Sequence, residues 1–204
     1  MLLSISLSFA ICAFATQVAR RAPDGVQEFV VKYAPMVYLY SGDPYKPSDI
    51  ATQLKNTEPR VDFKVVSDQT MTLDNLSFLN GLGGEKVYLT SKIKQYSKPV
   101  PEYLFGVLPN GEGQTEGAVS STIVVNDHCD GTVDAFYFYF YAFDRGALSI
   151  GNHVGDWEHS MIRFVNNVPS ALWYSQHSSG QAFKYSAVQK YGDGVGNLRV
   201  SRYR

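Results

Sequence analysis

Residues 133–143 read VDAFYFYFYAF, a run with a single charged side chain, Asp134. In an extended strand, alternate residues point to opposite faces. Tyr137, Tyr139 and Tyr141 therefore share one face, and Phe136, Phe138 and Phe140 share the other. A strand that is apolar on both faces needs a layer on each side, so this one belongs inside a layered β structure. The phenylalanine face is expected to be core. The tyrosine face is expected to pack its rings against a second layer while its hydroxyls reach polar partners. Neighbouring stretches supply companions: strands over 119–125, 159–164 and 170–175, with NDHCDG as a turn. The chain holds 14 Tyr and 12 Phe beside 17 Gly and 9 Pro, a mixture that favours strands and turns. The expected fold class is mostly β, an antiparallel, jelly-roll-like β-sandwich with short peripheral helices.

Upstream the pattern is broken by turns. Residues 30–40 (VVKYAPMVYLY) read as a strand interrupted by Pro35. Ser48 or Asp49 is placed to cap a short helix IATQLKN. Short strands are expected at 61–66 and 86–90, with TLDNLSFLNGLGG between them as a helical turn ended by glycines. Residues 92–116 read as a long surface excursion.

The opening residues MLLSISLSFAICAFA are uncharged and end in small side chains, which reads as a signal peptide over 1–15. Residues 16–29, with the pair Arg20-Arg21, read as a flexible or short pro-segment, and 30–204 as a single β-sandwich domain. The apolar run stops short of the roughly 18 residues a spanning helix needs, so no transmembrane segment is expected. The chain is expected to be secreted, with the vacuole as the alternative destination. On that route Asn75, in the sequon Asn75-Leu76-Ser77, becomes a glycosylation acceptor; otherwise it is a turn asparagine. Cleavage of the leader removes Cys12 and leaves Cys129 expected as a free thiol. A net charge of −1 carries no electrostatic footprint for nucleic acid.

Chemistry concentrates around GNHVGDWEH, residues Gly151 to His159. With a strand starting at Asp156, Asp156 and Glu158 face one way and Trp157 and His159 the other. His153, in the glycine-flanked loop before it, can swing over the carboxylates. Asp144, at the end of the preceding strand, joins them, and His177 of SQHSSG reaches in from a third. Three carboxylates with imidazole suit a hard or borderline divalent cation such as Ca2+, Mg2+ or Mn2+. Without one, crowded carboxylates repel and hold a proton. The alternative is a loop of hydrogen-bonded Asp and His. Trp157, Tyr137 and Tyr139 are candidate recognition residues for a glycan or lipid head group, although a tryptophan there is more often a core anchor.

The segments YAPMVYLYSGDPYKPSDI, LTSK, EGAVSSTIVVNDHCDGTVDAFYFYFYAF, GNHVGDWEHSMIRF and ALWYSQHSSGQAFKYSAV resemble the fungal secreted branch of the vacuolar protein sorting-associated protein 62 family. That resemblance implies a role in vacuolar delivery and no settled biochemical activity. The chain more distantly resembles the necrosis- and ethylene-inducing peptide-like proteins, β-sandwich cytolysins that bind a divalent cation and sphingolipid head groups. This second resemblance implies metal ligands at Asp144, His153, Asp156 and Glu158 and a water-linked histidine at His177. The sequence departs from that pattern at Ser178 and Ser179 and at Gly155, where the relatives have a histidine. The ending YGDGVGNLRVSRYR also departs from the first family's pattern, which implies either a truncated or mis-spliced sequence or a member that lacks the last strands. The expected function is a secreted, cation-assisted binding protein. The alternatives are a metal-dependent hydrolase, or a sorting-related protein without catalysis.

Overall fold

A computed structural model describes residues 26–94, 97–176, 179–191 and 197–201. The expected signal peptide lies outside them. The described chain is mostly strand with short helices, in keeping with the β-sandwich class.

The first element is a helix, α1 (Glu28–Lys32), followed by the short strand β1 (Met36–Tyr38). The interrupted strand expected over 30–40 is thus corrected ahead of Pro35, where the chain is helical, and holds only at Met36–Tyr38. Helical backbone bonds close before Pro35, and the residue preceding a proline is pushed out of the helical region, so the chain turns there. Helix α2 (Ile50–Lys55) begins at Asp49, whose carboxylate accepts hydrogen bonds from the Thr52 backbone N–H at 2.9 Å and the Thr52 hydroxyl at 2.7 Å. The same side chain accepts from the Val119 N–H at 3.0 Å, so one cap ties two distant segments together.

A three-stranded antiparallel sheet follows in the order β3-β2-β4, built from β2 (Thr57–Val61), β3 (Lys64–Val65) and β4 (Tyr88–Ser91). Between β3 and β4, a 3-10 turn over Leu76–Phe78 and α3 (Leu79–Leu82) end at Gly83, as expected for TLDNLSFLNGLGG. The excursion over 92–116 is not wholly superficial. Its 3-10 turn Glu102–Phe105 buries Leu104. Lys46 N–H donates to the Phe105 carbonyl at 2.9 Å and Val107 N–H to the Pro47 carbonyl at 2.8 Å.

The five-stranded antiparallel sheet runs in chain order, β5 (Ser121–Asp127), β6 (Thr132–Asp144), β7 (His153–Val165), β8 (Val168–Gln176) and β9 (Ser179–Lys184). Asn166 and Asn167, both at positive φ, make the two-residue turn from β7 to β8, a geometry that follows the natural strand twist. A third sheet has the order β1-β11-β10, from β10 (Lys190–Tyr191) and β11 (Asn197–Ser201), with β1 parallel to β11. That strand falls in the terminal segment that the sequence pattern leaves unassigned. Cys129, expected as a free thiol, is disulfide-bonded.

The chain divides into two compact units. One comprises Met1–Pro35, Ile123–Phe136 and Ser160–Leu198, and the other Met36–Thr122, Tyr137–His159 and Arg199–Arg204. In the first, Phe29 meets Phe164 edge-on at 4.9 Å between ring centroids, and Ile162, Phe164 and Leu172 are fully buried. In the second, Tyr45, Ile50, Leu54, Met71, Leu104, Phe140, Ala142 and Phe143 form one core cluster. β6 is buried on both sides as its sequence requires. The deeper side, however, carries Tyr137 and Tyr141, while Phe136 and Phe138 are only half-buried. The expectation that the phenylalanine face is core holds at Phe140.

Candidate functional site

The connection from β6 to β7 places the predicted cluster at one end of two adjacent strands. Its neck is tight: a Cβ on Gly146 would lie 1.8 Å from the Ile150 carbonyl oxygen, so only glycine fits. The Gly146 N–H donates to Asn152 Oδ1 at 3.0 Å, which closes the loop. His153 is the first residue of β7 rather than part of the loop, and its Nδ1–H donates to the Gly151 carbonyl at 2.8 Å. That bond fixes the ring and turns Nε2 toward Asp156 Oδ1, 3.5 Å away. Gly155 lies between them at φ +80°, a left-handed kink inside the strand. Kinks of this kind re-aim side chains next to functional sites.

Burial works to lower the His153 pKa. The bond to Gly151, the hydrogen bond to Asp156 and the negative charges of Asp156 and Asp144 outweigh it and hold the imidazole above its ordinary value. The structure brings His153 and Asp156 into contact, and the charge of Asp144 acts on the same imidazole. Glu158, two residues further along β7, is half-buried. Among the described residues no group of three or more His, Cys, Asp or Glu side chains is arranged to hold a metal ion. His177 lies outside the described residues.

Of the three candidate recognition aromatics, Tyr137 is buried and Tyr139 half-buried, whereas Trp157 is 46% exposed. The Trp157 ring leans on Phe140 at 4.8 Å and meets Phe138 edge-on at 6.2 Å, so it is supported from below and open above. It is not the core anchor that a tryptophan in a strand usually is. His159 stacks on Phe138 at 5.0 Å, and burial holds its pKa below the ordinary value. Asn75 has both side-chain atoms engaged within its own loop. Its Oδ1 accepts from the Thr72 N–H at 2.7 Å, and its Nδ2 donates to the Thr70 carbonyl at 3.1 Å.

Two features escape the sequence reading. Gln53 of α2 is 8% exposed, and its Oε1 has no hydrogen-bond partner. Its Nε2 would be 3.5 Å from a Cβ on Gly155, so the amide nitrogen faces the kink in β7. The signal was present: Ile50, Gln53 and Leu54 are spaced three and four apart on the buried face of the helix, and a glutamine there is out of place. The second feature is an ion-pair cluster on the other compact unit. Asp134, 5% exposed, accepts from Arg163 Nε at 2.8 Å and Arg163 NH2 at 2.7 Å, and pairs with His128 Nε2 at 3.0 Å. The hydrogen bonds from Arg163 hold the Asp134 carboxyl below its ordinary pKa against the opposing effect of burial, and His128 adds to the lowering.

Fold and site together define a mostly β protein with a carboxylate and imidazole cluster beside an exposed, ring-supported tryptophan. Residues 141–200, which hold most of that cluster, match the family model described as vacuolar protein sorting-associated protein 62. The chain is 38% identical over 188 residues to TDA6 of Saccharomyces cerevisiae, a protein named for vacuolar protein sorting; the match covers 83% of this chain and 40% of that one. It is 36% identical over 183 residues to the vacuolar protein sorting-associated protein 62 of the same yeast, covering 81% of this chain and 38% of the relative. The chain spans about two fifths of the length of these curated relatives. No solved structure matches it.

Proposed function

We propose that the chain is a sorting-related binding protein of the secretory and vacuolar route. In this reading Asp144, His153, Asp156 and Glu158 hold a divalent cation, and the cation engages a glycan or lipid head group beside Trp157. The place in sorting is supported by the names of the yeast relatives. Entry to that route is supported by the leader-like opening of the sequence, and no described helix is long and apolar enough to cross a membrane. The fungal secreted branch and the cation site of the cytolysin-like sandwiches belong to the same reading.

The observation that carries the site is the His153–Asp156 contact, at 3.5 Å with side chains 50% and 19% exposed, next to a half-exposed indole. At that length and exposure the pairing is worth little to folding, so a cation can displace the imidazole from the carboxylate at small cost. The donors are oxygen-rich, which favours Ca2+, Mg2+ or Mn2+. Polar ligands that carry an apolar sugar face or acyl stem suit a tryptophan that is packed below and open above.

Titration calorimetry of metal-stripped protein with Ca2+, Mg2+ and Mn2+ tests the reading. Saturable binding near one equivalent, lost in Asp156→Ala, is the expected result. A folded chain that binds none of the three ions refutes the cation site.

A further inference from the structure

The connection from β6 to β7 ends in an apolar tip. Leu148 is 93% exposed and Ile150 76% exposed, and Ser149 and Gly151 beside them are exposed as well. The tip is not slack. The Gly146 backbone lies close against the Ile150 carbonyl, and the Gly146 N–H donates to Asn152 Oδ1 at 3.0 Å. Leu148 and Ser149 are both held at positive φ, +54° and +63°, a conformation that L side chains adopt only at a cost. The loop also pairs polar backbone groups within itself. The Ser149 N–H donates to the Gly146 carbonyl at 3.1 Å, and the His153 Nδ1–H to the Gly151 carbonyl at 2.8 Å. A segment that enters the apolar part of a lipid surface must satisfy its backbone internally, whereas a segment built only for water has no such need.

We propose that Leu148 and Ile150 form a shallow anchor for the surface of an electrically neutral, zwitterionic phospholipid bilayer. The anchor goes beyond the reading under Proposed function, since it needs neither a cation nor a head-group pocket. Two side chains on a loop tip fall far short of the roughly 800 Å2 per partner that a stable protein contact buries. A bilayer asks for no such area and no matching shape, because it deforms around each apolar side chain as that side chain leaves water. The charges at the base of the tip decide the kind of membrane. Asp144, which ends β6, and Asp156 stand against Arg145 and His153, and Glu158 follows along β7. No positive excess faces the lipid, so anionic head groups add nothing to the attraction.

Co-sedimentation of the full chain with phosphatidylcholine vesicles, in the presence of a chelator, tests the anchor apart from the cation site. Partition onto the vesicles that survives the chelator is expected, with no gain from added phosphatidylserine. Leu148→Asn and Ile150→Ser should each weaken it about tenfold, since each removes one inserted aliphatic side chain. Asparagine tolerates the left-handed backbone at 148 better than leucine, so that variant keeps its thermal midpoint. Val168→Ser, past the opposite end of β7 and 62% exposed, should leave partition unchanged. Equal partition of Leu148→Asn and the unaltered chain overturns the proposal, as does an equal loss in Val168→Ser. A folded chain that ignores the vesicles overturns it too, and self-association that Leu148→Asn abolishes would assign the tip to a second copy instead. Partition that requires a divalent cation returns the contact to the cation site and removes the anchor. Vesicle binding by a chain that takes up no cation upholds the anchor and refutes only the reading under Proposed function.

Discussion

Asp134 and Asp156 sit on neighbouring strands, each with a histidine partner, and are held very differently. Asp134 is almost wholly buried, takes two short hydrogen bonds from one guanidinium and adds His128 at 3.0 Å. Asp156 meets His153 at 3.5 Å, with half of the imidazole in solvent. A bidentate, desolvated carboxylate is committed to its own fold, because breaking it strands a buried charge. A longer and wetter contact leaves a carboxylate that a ligand can win. Both groups consist of residue types that metal and catalytic sites use; their geometry separates them.

The largest effect is expected at Arg163. Arg163→Met strands Asp134 and should lower stability by about 2 kcal/mol, discounted from the 3–5 of a fully buried pair because half of the Arg163 side chain is exposed. Chemical denaturation measures it, and a loss no larger than that of Asp156→Asn would erase the contrast. Next comes Gly155→Ala, expected to cost about 1–2 kcal/mol. The space above Gly155 is ordinary, so the cost comes from φ +80° and not from a clash. Cation binding should weaken in step with it.

Acid sharpens the comparison further. The Asp134 pKa is lowered on folding, so its contribution is present above the unfolded value and disappears as pH falls through the folded one. The His153 pKa is raised, so its smaller contribution is present below about 6.5 and is lost as pH rises through the folded value. Arg163→Met should flatten the acid limb of stability against pH, and His153→Ala the limb above neutrality. The smallest effect is expected for His153→Ala at pH 8, under about 0.5 kcal/mol, as for other exposed pairs.

Much of this was legible in the sequence where periodicity is strong. VDAFYFYFYAF reads as a doubly covered strand, and Ser48 or Asp49 as the cap of IATQLKN, of which Asp49 is the one that caps. The GDWEH strand follows from the same local rules. The misses have physical causes. Val30 and Val31 are β-formers by type, but a short helix ended ahead of Pro35 places Val30 in the core, and burial overrides propensity. Tyr137 rather than Phe136 is the more buried side chain, because alternation tells which residues share a face and not which face lies deeper. At the site, His153 lies 3.5 Å from Asp156, at the start of β7 and not in the loop that the glycines suggest. Strand parity could not foresee Gln53, which arrives from a helix about a hundred residues away in sequence, or Arg163 closing over Asp134.

The most direct test of a structural cluster beside a binding one is the calcium-induced shift in thermal midpoint, measured on the unaltered chain, Arg163→Met and Asp156→Ala. A ligand that binds the folded state at a hundredfold excess over its Kd adds about 2.7 kcal/mol. The account predicts that Arg163→Met melts lower yet is raised by calcium as much as the unaltered chain, while Asp156→Ala melts normally and is not raised. An equal calcium shift in Asp156→Ala, or none in any of the three proteins, would contradict it.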